Sequence, residues 1–307
     1  MRKPFILIVF IFFVCPQSSF SQITTNELPI SIQRGLGVLM KDKAKGKVDL
    51  PIPDMKKVFY QDSLSQEKIP KGLRRTAVPI PMILDMDMDG IWTTLDDGGK
   101  LWQMEIHADK AKALDFVFSK FWLPSKGKFF IFNPSTKETI GAITSQYLLG
   151  EKNKPNRFST GIVKGDNVIL EYYQPSEEKE VPIIIVEKAY YTYIDKIGFG
   201  TSSDCEVNVN CIEGTNWQYE KDAVAMVYGK FNQGGGWFSG SLLNNTQYDL
   251  TPILLTANHC LKWDNTGIGG YYEVKDAIID NDLSDWVFLW GYELANCSGN
   301  KWNILYY

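Results

Sequence analysis

Of the two histidines in this chain, His259 closes the run Leu254-Leu255-Thr256-Ala257-Asn258-His259-Cys260. An apolar strand that ends in Thr-Ala-x-His-Cys brings an imidazole out at its rim. There a neutral ring nitrogen can take a proton from a hydroxyl nucleophile and return it to a leaving group. That chemistry needs a serine within hydrogen-bond reach and a carboxylate on the other ring nitrogen. Ser298 in Asn296-Cys297-Ser298-Gly299, Ser284 and Asp285 in Ser284-Asp285-Trp286-Val287, and Ser239 and Ser241 in Phe238-Ser239-Gly240-Ser241 are the side chains to weigh for those roles. The second histidine, His107, is read as a strand-end residue with no role in chemistry.

Metal chemistry has less to stand on. Asp85-Met86-Asp87-Met88-Asp89-Gly90, with Asp96 at the twelfth position, has the spacing of a calcium loop. It lacks flanking helical periodicity and runs straight into the Gly90-Ile91-Trp92 strand, so it is read as a solvated acidic turn. The cysteines show neither a second Cys-x-x-Cys nor a His-x-x-x-His partner for zinc. No metal ligand and no cofactor is assigned.

The elements that must position these residues are strands. Gly90-Ile91-Trp92-Thr93-Thr94-Leu95 and Leu101-Trp102-Gln103-Met104-Glu105-Ile106 flank Asp96-Asp97-Gly98-Gly99 and read as a hairpin. Further runs follow at Ala113–Phe118, Phe129–Phe132, Val168–Tyr173 and Ile183–Val186. Strands at this spacing, with no long helical pattern between them, predict a β-sandwich over residues 81–197. Residues 22–80 carry prolines and little periodicity and are expected to be an extended lead-in. After the polar join Gly198-Phe199-Gly200-Thr201-Ser202-Ser203-Asp204 a second β-rich part, residues 198–307, begins with Ala223–Tyr228, Gly234-Gly235-Gly236, Trp237–Leu243 and Ile253–Thr256.

Composition sets outer bounds. The 307 residues, 44% hydrophobic and 13% aromatic, can fill two ordinary cores. A net charge of -4 with interspersed signs offers no basic stripe for nucleic acid. Arg2 and Lys3, the apolar run Phe5–Val14 and the small residues Ser19-Phe20-Ser21 follow the order of a secretory signal, so residues 1–21 are read as a signal peptide cut before Gln22. The apolar run is too short for a bilayer, which needs about 20 residues, and no later run spans one. Removing the signal leaves Cys205, Cys211, Cys260 and Cys297, an even number in a secreted chain where disulfides form.

Three features together resemble the secreted bacterial lysyl endopeptidase branch of the trypsin-like serine proteases. They are Cys205-Glu206-Val207-Asn208-Val209-Asn210-Cys211, then Phe238-Ser239-Gly240-Ser241-Leu242-Leu243-Asn244-Asn245-Thr246 followed by Leu254–Cys260, and Trp290-Gly291-Tyr292 with Cys297. The upstream sandwich resembles the propeptide region of such precursors. The resemblance implies an all-β chain: an N-terminal propeptide-like sandwich followed by the first β-barrel half of a trypsin-like peptidase. It implies His259 as general base, protein or peptide substrates, a Cys211–Cys297 disulfide and a secreted location. The family's nucleophile sits in a Gly-[Asn/Asp]-Ser-Gly turn far downstream of the histidine, and no such turn follows His259. Ser298 lacks the preceding glycine, Ser239 and Ser241 match a structural strand, and Trp290-x-Tyr292 with Cys297 fits a strand earlier than the one that follows the family's aspartate. Phe238 stands where the family carries the partner of Cys260, and the partner of Cys205 would lie past residue 307. The chain therefore reads as a C-terminally truncated precursor, inactive as it stands. The competing reading is a secreted sandwich that binds a ligand through an exposed strip of Trp92, Trp102 and Trp122, with a vestigial peptidase half-domain.

Overall fold

The structure, a computed structural model, describes residues 27–36, 43–68, 73–147, 150–194, 207–249, 251–257, 260, 283–297 and 302–306. The fold is all-β, carried by two sheets. The six-stranded sheet runs β1 (Lys47–Asp49), β4 (Lys100–His107), β10 (Asn167–Gln174), β6 (Lys128–Phe132) and β7 (Thr139–Ile143), with β3 (Ile91–Thr94) also paired to β4. The ten-stranded sheet runs β16 (Trp302–Tyr306), β15 (Val287–Leu294), β12 (Val224–Phe231), β13 (Gly234–Leu243), β2 (Arg75–Asp85), β11 (Ile183–Thr192), β5 (Ala113–Trp122) and β8 (Asn156–Ser159). β14 (Ile253–Leu255) adds to β13, and β9 (Val163–Lys164) adds to β5.

The hairpin expected around Asp96-Asp97-Gly98-Gly99 forms. Ile91 faces Gln103 and Thr94 faces Lys100. Leu95 N–H donates to Gly99 O at 2.8 Å, and Gly98 sits at φ +80°, a conformation that costs glycine little and other residues more. Between the sheets lies an aromatic core. Trp102, Phe116, Phe118, Phe121, Phe129 and Tyr172 are fully buried, and Phe118, Phe121 and Phe129 meet edge to face at centroid distances of 5.1 to 5.8 Å. Trp102 also donates its Nε1–H to Asp89 O at 2.8 Å, so the ring's polar end is satisfied. Trp102 thus belongs to the core, and the three tryptophans Trp92, Trp102 and Trp122 do not line up as one exposed strip.

Two arrangements go beyond the sequence reading. Residues 22–80, expected as an extended lead-in, hold helix α1 (Ile30–Gln33), helix α2 (Lys43–Gly46), strand β1, helix α3 (Met55–Lys68) and the start of β2. Asp54 starts α3 by accepting the Lys57 N–H on Oδ1 at 3.1 Å, and only Val58 of its first turns is deeply buried, so its apolar periodicity is faint. Helix α1 lays Ile30 over the outer face of the six-stranded sheet, against Leu101, Phe130, Phe132 and Ile169. Its Ser31 N–H donates to the buried Glu171 Oε1 at 3.1 Å, and Gln103 Nε2 donates to Glu171 Oε2 at 2.9 Å. Burial pushes the Glu171 carboxyl up, and these donors pull it back.

The second arrangement is the continuity of the larger sheet. Gly235 of β13 pairs with Ala77 of β2, and Gly236 with Arg75, so strands from both sides of residue 198 share one sheet. Glycine is required there: a Cβ on Gly234 would stand 2.4 Å from Arg75 Cδ, and one on Gly235 2.2 Å from the Tyr228 hydroxyl.

Cys211 and Cys297 are joined by a disulfide that ties the segment before α4 (Gln218–Asp222) to the end of β15. It closes a loop with a sequence separation of 86. In the chain-entropy model that closure contributes about 4 to 5 kcal/mol. The double substitution Cys211→Ala, Cys297→Ala is expected to lower unfolding free energy by about that amount, read from the denaturant midpoint against the oxidised parent. A shift below about 1 kcal/mol would mean that packing around β12, β13 and β15 holds the ends together without the bond.

Candidate functional site

The strands that lead to His259 are positioned by backbone pairing. On β13, Ser241, Leu242 and Leu243 face Leu255, Leu254 and Ile253 of β14. The Thr256 hydroxyl then donates to Ser239 O at 2.8 Å, so the chain stays on β13 for one residue past the strand. Cys260 N–H donates to Ala257 O at 2.9 Å. Cys260 is a free, buried thiol, and burial pushes its pKa up, away from the thiolate. Asn258 and His259 themselves lie outside the described residues, as do Ser298 and Cys205.

Asp285, considered for the orienting carboxylate, is buried with both oxygens taken. Arg157 of β8 donates from Nε to Oδ1 at 2.7 Å and from Nη2 to Oδ2 at 2.8 Å, a bidentate fork. The same guanidinium also pairs with Glu187 of β11, whose carboxyl it holds below the usual range. Between two carboxylates the Arg157 pKa rises, with the Asp285 hydrogen bonds the largest cause. Asp285 therefore anchors the short 3-10 turn Leu283–Asp285 to the sandwich. Ser239 and Ser241 lie within β13, where their backbone groups serve the ladder.

A cleft of about 570 Å³ opens beside these strands, lined by Trp217, Met226, Trp237, Phe238 and Tyr292, with Lys221 and Glu293 at its edge. Lys221 Nζ contacts Glu293 Oε1 at 2.9 Å and donates to Asn210 Oδ1 at 3.2 Å, so the polar groups of the cleft pair with one another. Leu243, Ile253 and Leu255 leave an exposed apolar edge at β13 and β14. The described histidine, His107, is far from this region in sequence and pairs through Nδ1 with Asp49 Oδ1 at 2.8 Å on the first strand of the small sheet. In the acidic turn, the carboxylates of Asp85 and Asp89 accept backbone N–H groups of Asp87 and Asp85 at 3.1 and 2.9 Å. Among the described residues no group of three or more His, Cys, Asp or Glu side chains converges on a point.

One polar cluster escaped the sequence reading. Asp115 interrupts the apolar run Ala113–Phe118, and Lys230 lies near the end of β12. Both are completely buried and in contact. The signal was present as a charge in the middle of an apolar strand, which is costly unless paired.

Residues 199–304 match the family described as lysyl endopeptidase, C-terminal domain. The similarity lies in that segment, about a third of the chain. No solved structure matches it. Among the described residues no helix is long and apolar enough to cross a membrane.

The Arg157 fork yields a direct test. Arg157→Ala leaves a buried carboxylate at Asp285 without its cation and is expected to cost about 2 to 3 kcal/mol, less than a fully buried pair because the arginine is partly exposed. Adding Asp285→Asn should recover part of that loss. A change within about 0.5 kcal/mol, read by denaturant unfolding, would show that Asp285 reaches water or another cation without Arg157.

Proposed function

We propose that the chain derives from a secreted, trypsin-like serine endopeptidase precursor. In this reading the sandwich is its propeptide-like region and His259 its general base. The observation that carries the reading is the match of residues 199–304 to the lysyl endopeptidase C-terminal domain, which covers the Thr-Ala-x-His-Cys run. Within the described residues, β13 pairs with β14, and Thr256, which opens the Thr-Ala-x-His-Cys run, bonds Ser239 O. The Cys211–Cys297 disulfide supports an oxidising, extracytoplasmic location. The exposed apolar residues Leu243, Ile253 and Leu255 are the kind of surface that a second barrel would cover.

The mechanism is acyl transfer. His259 takes the proton of a serine as it attacks the scissile carbonyl, then gives that proton to the leaving amine, while an aspartate holds the other imidazole nitrogen. These 307 residues supply the base without a recognisable nucleophile turn, and Arg157 already holds Asp285. In a protease of a different fold that uses the same triad, loss of the serine alone lowers turnover by about a millionfold. The polypeptide is therefore expected to show no turnover of lysyl or arginyl peptides, with parent and His259→Ala indistinguishable. Turnover abolished by His259→Ala would overturn that expectation and assign Ser298 or Ser284 as nucleophile. Fusing the chain to a second barrel that carries a Gly-Asn-Ser-Gly turn tests the peptidase reading itself. Cleavage dependent on His259 is expected, and a folded but inert fusion would contradict it.

A further inference from the structure

The contact between Asp115 and Lys230 is out of proportion to an ordinary ion pair. Lys230 Nζ stands 2.6 Å from Asp115 Oδ1, and both side chains are fully excluded from solvent. Yet neither Asp115 oxygen accepts a well-formed hydrogen bond from any described residue. The amine meets Ser159 Oγ and Thr160 O, each at 2.7 Å. The rings of Tyr190 and Tyr228 close the site, with centroids 5.6 and 5.5 Å from Nζ. The Tyr228 hydroxyl lies beside the same carboxyl and interacts with it and with Thr192. A buried carboxylate is tolerable when its lone pairs are satisfied; this one has the Lys230 amine at one oxygen and the Tyr228 hydroxyl beside it.

We propose that Lys230 and Asp115 condense into a side-chain amide that bonds β12 covalently to β5. The proton passes first from the ammonium to the carboxylate across the contact, giving a neutral amine and a neutral acid. The amine lone pair attacks Asp115 Cγ, a C–N bond forms, one C–O bond breaks, and the hydroxyl leaves as water with a proton shed by the nitrogen. Nothing is oxidised or reduced, so no co-reactant is needed. Burial favours the required neutral forms: it pushes the Asp115 carboxyl up to about 6 and the Lys230 amine down. Holding the two atoms together without water supplies the proximity that such a condensation needs.

The surroundings suit the product better than the ion pair. An amide has one N–H to place, and Thr160 O is in position to accept it. It has one carbonyl oxygen to satisfy, and the Tyr228 hydroxyl stands ready to donate. The other carboxyl oxygen leaves with the water. Once the bond exists, a peptide-bond cut anywhere between Asp115 and Lys230 leaves the two fragments joined. The sandwich then stays attached to β12 after any such cut. This inference does not depend on the peptidase reading.

Mass spectrometry of the full chain decides it. Folded protein, verified by near-ultraviolet circular dichroism, is reduced, denatured and weighed. The expected mass is one water below that of the sequence, with a branched peptide containing both Asp115 and Lys230 in the digest. Lys230→Arg keeps a cation at the site without the nucleophilic amine and is expected to restore the full mass. A full mass for the folded parent, with Asp115 and Lys230 recovered in separate linear peptides, overturns the proposal and leaves a buried ion pair.

Discussion

Strand β5 has no solvent face along its first six residues, and this constraint organises the molecule. Side chains alternate across a strand, so Leu114, Phe116 and Phe118 enter the sandwich core while Ala113, Asp115 and Val117 point the other way. That second face must also be dry. Ala113 packs with Met226, Tyr228, Val287 and Leu289, and Val117 with Ala77 and Tyr190. The later segment of the chain is therefore the cover that β5 requires, and the ten-stranded sheet curls to bring β12 over a strand to which it is not paired.

Polar groups along this junction follow the same logic. Tyr190 donates its hydroxyl to Phe231 O at 2.9 Å, Arg75 donates to Gln233 O at 3.2 Å, and Arg157 grips Asp285. Each joins the sandwich to the second part by pairing a group that would otherwise be buried without a partner. Arg75 also donates to Val58 O and Gln61 Oε1, so helix α3 belongs to the same network. A surface made this way is specific, because a shift of one residue would leave several of these groups unmet.

The sequence made much of this legible. Alternating aromatic and β-branched runs marked β4, β5, β6, β10 and β11, and Asp97-Gly98 marked the tight turn, because period and turn chemistry are local. Gly234-Gly235-Gly236 reads as punctuation between strands, yet these residues lie inside β13, since what they provide is room for Arg75 and Tyr228. That need is set by residues far away in sequence and leaves no periodic trace. Helix α3 was hidden for a related reason: it buries little, so its pattern is weak. The candidate site was legible as a motif, Thr256 to Cys260, but its partners were not, since a triad is a spatial arrangement. Asp285 shows the hazard, for a carboxylate before an apolar strand looks available until Arg157 is found holding it.

Residues 199–304, which match the lysyl endopeptidase C-terminal domain, share one sheet with the sandwich, with β2 as the seam. The central claim is that the two parts form one cooperative body. Native-state hydrogen exchange on the intact chain tests it most directly, by following the amides of β12 and β13 alongside those of β2, β5 and β11. One body predicts that all five strands share a common opening free energy and lose protection together as denaturant rises. Rapid exchange in β12 and β13 while β2, β5 and β11 stay protected would contradict it.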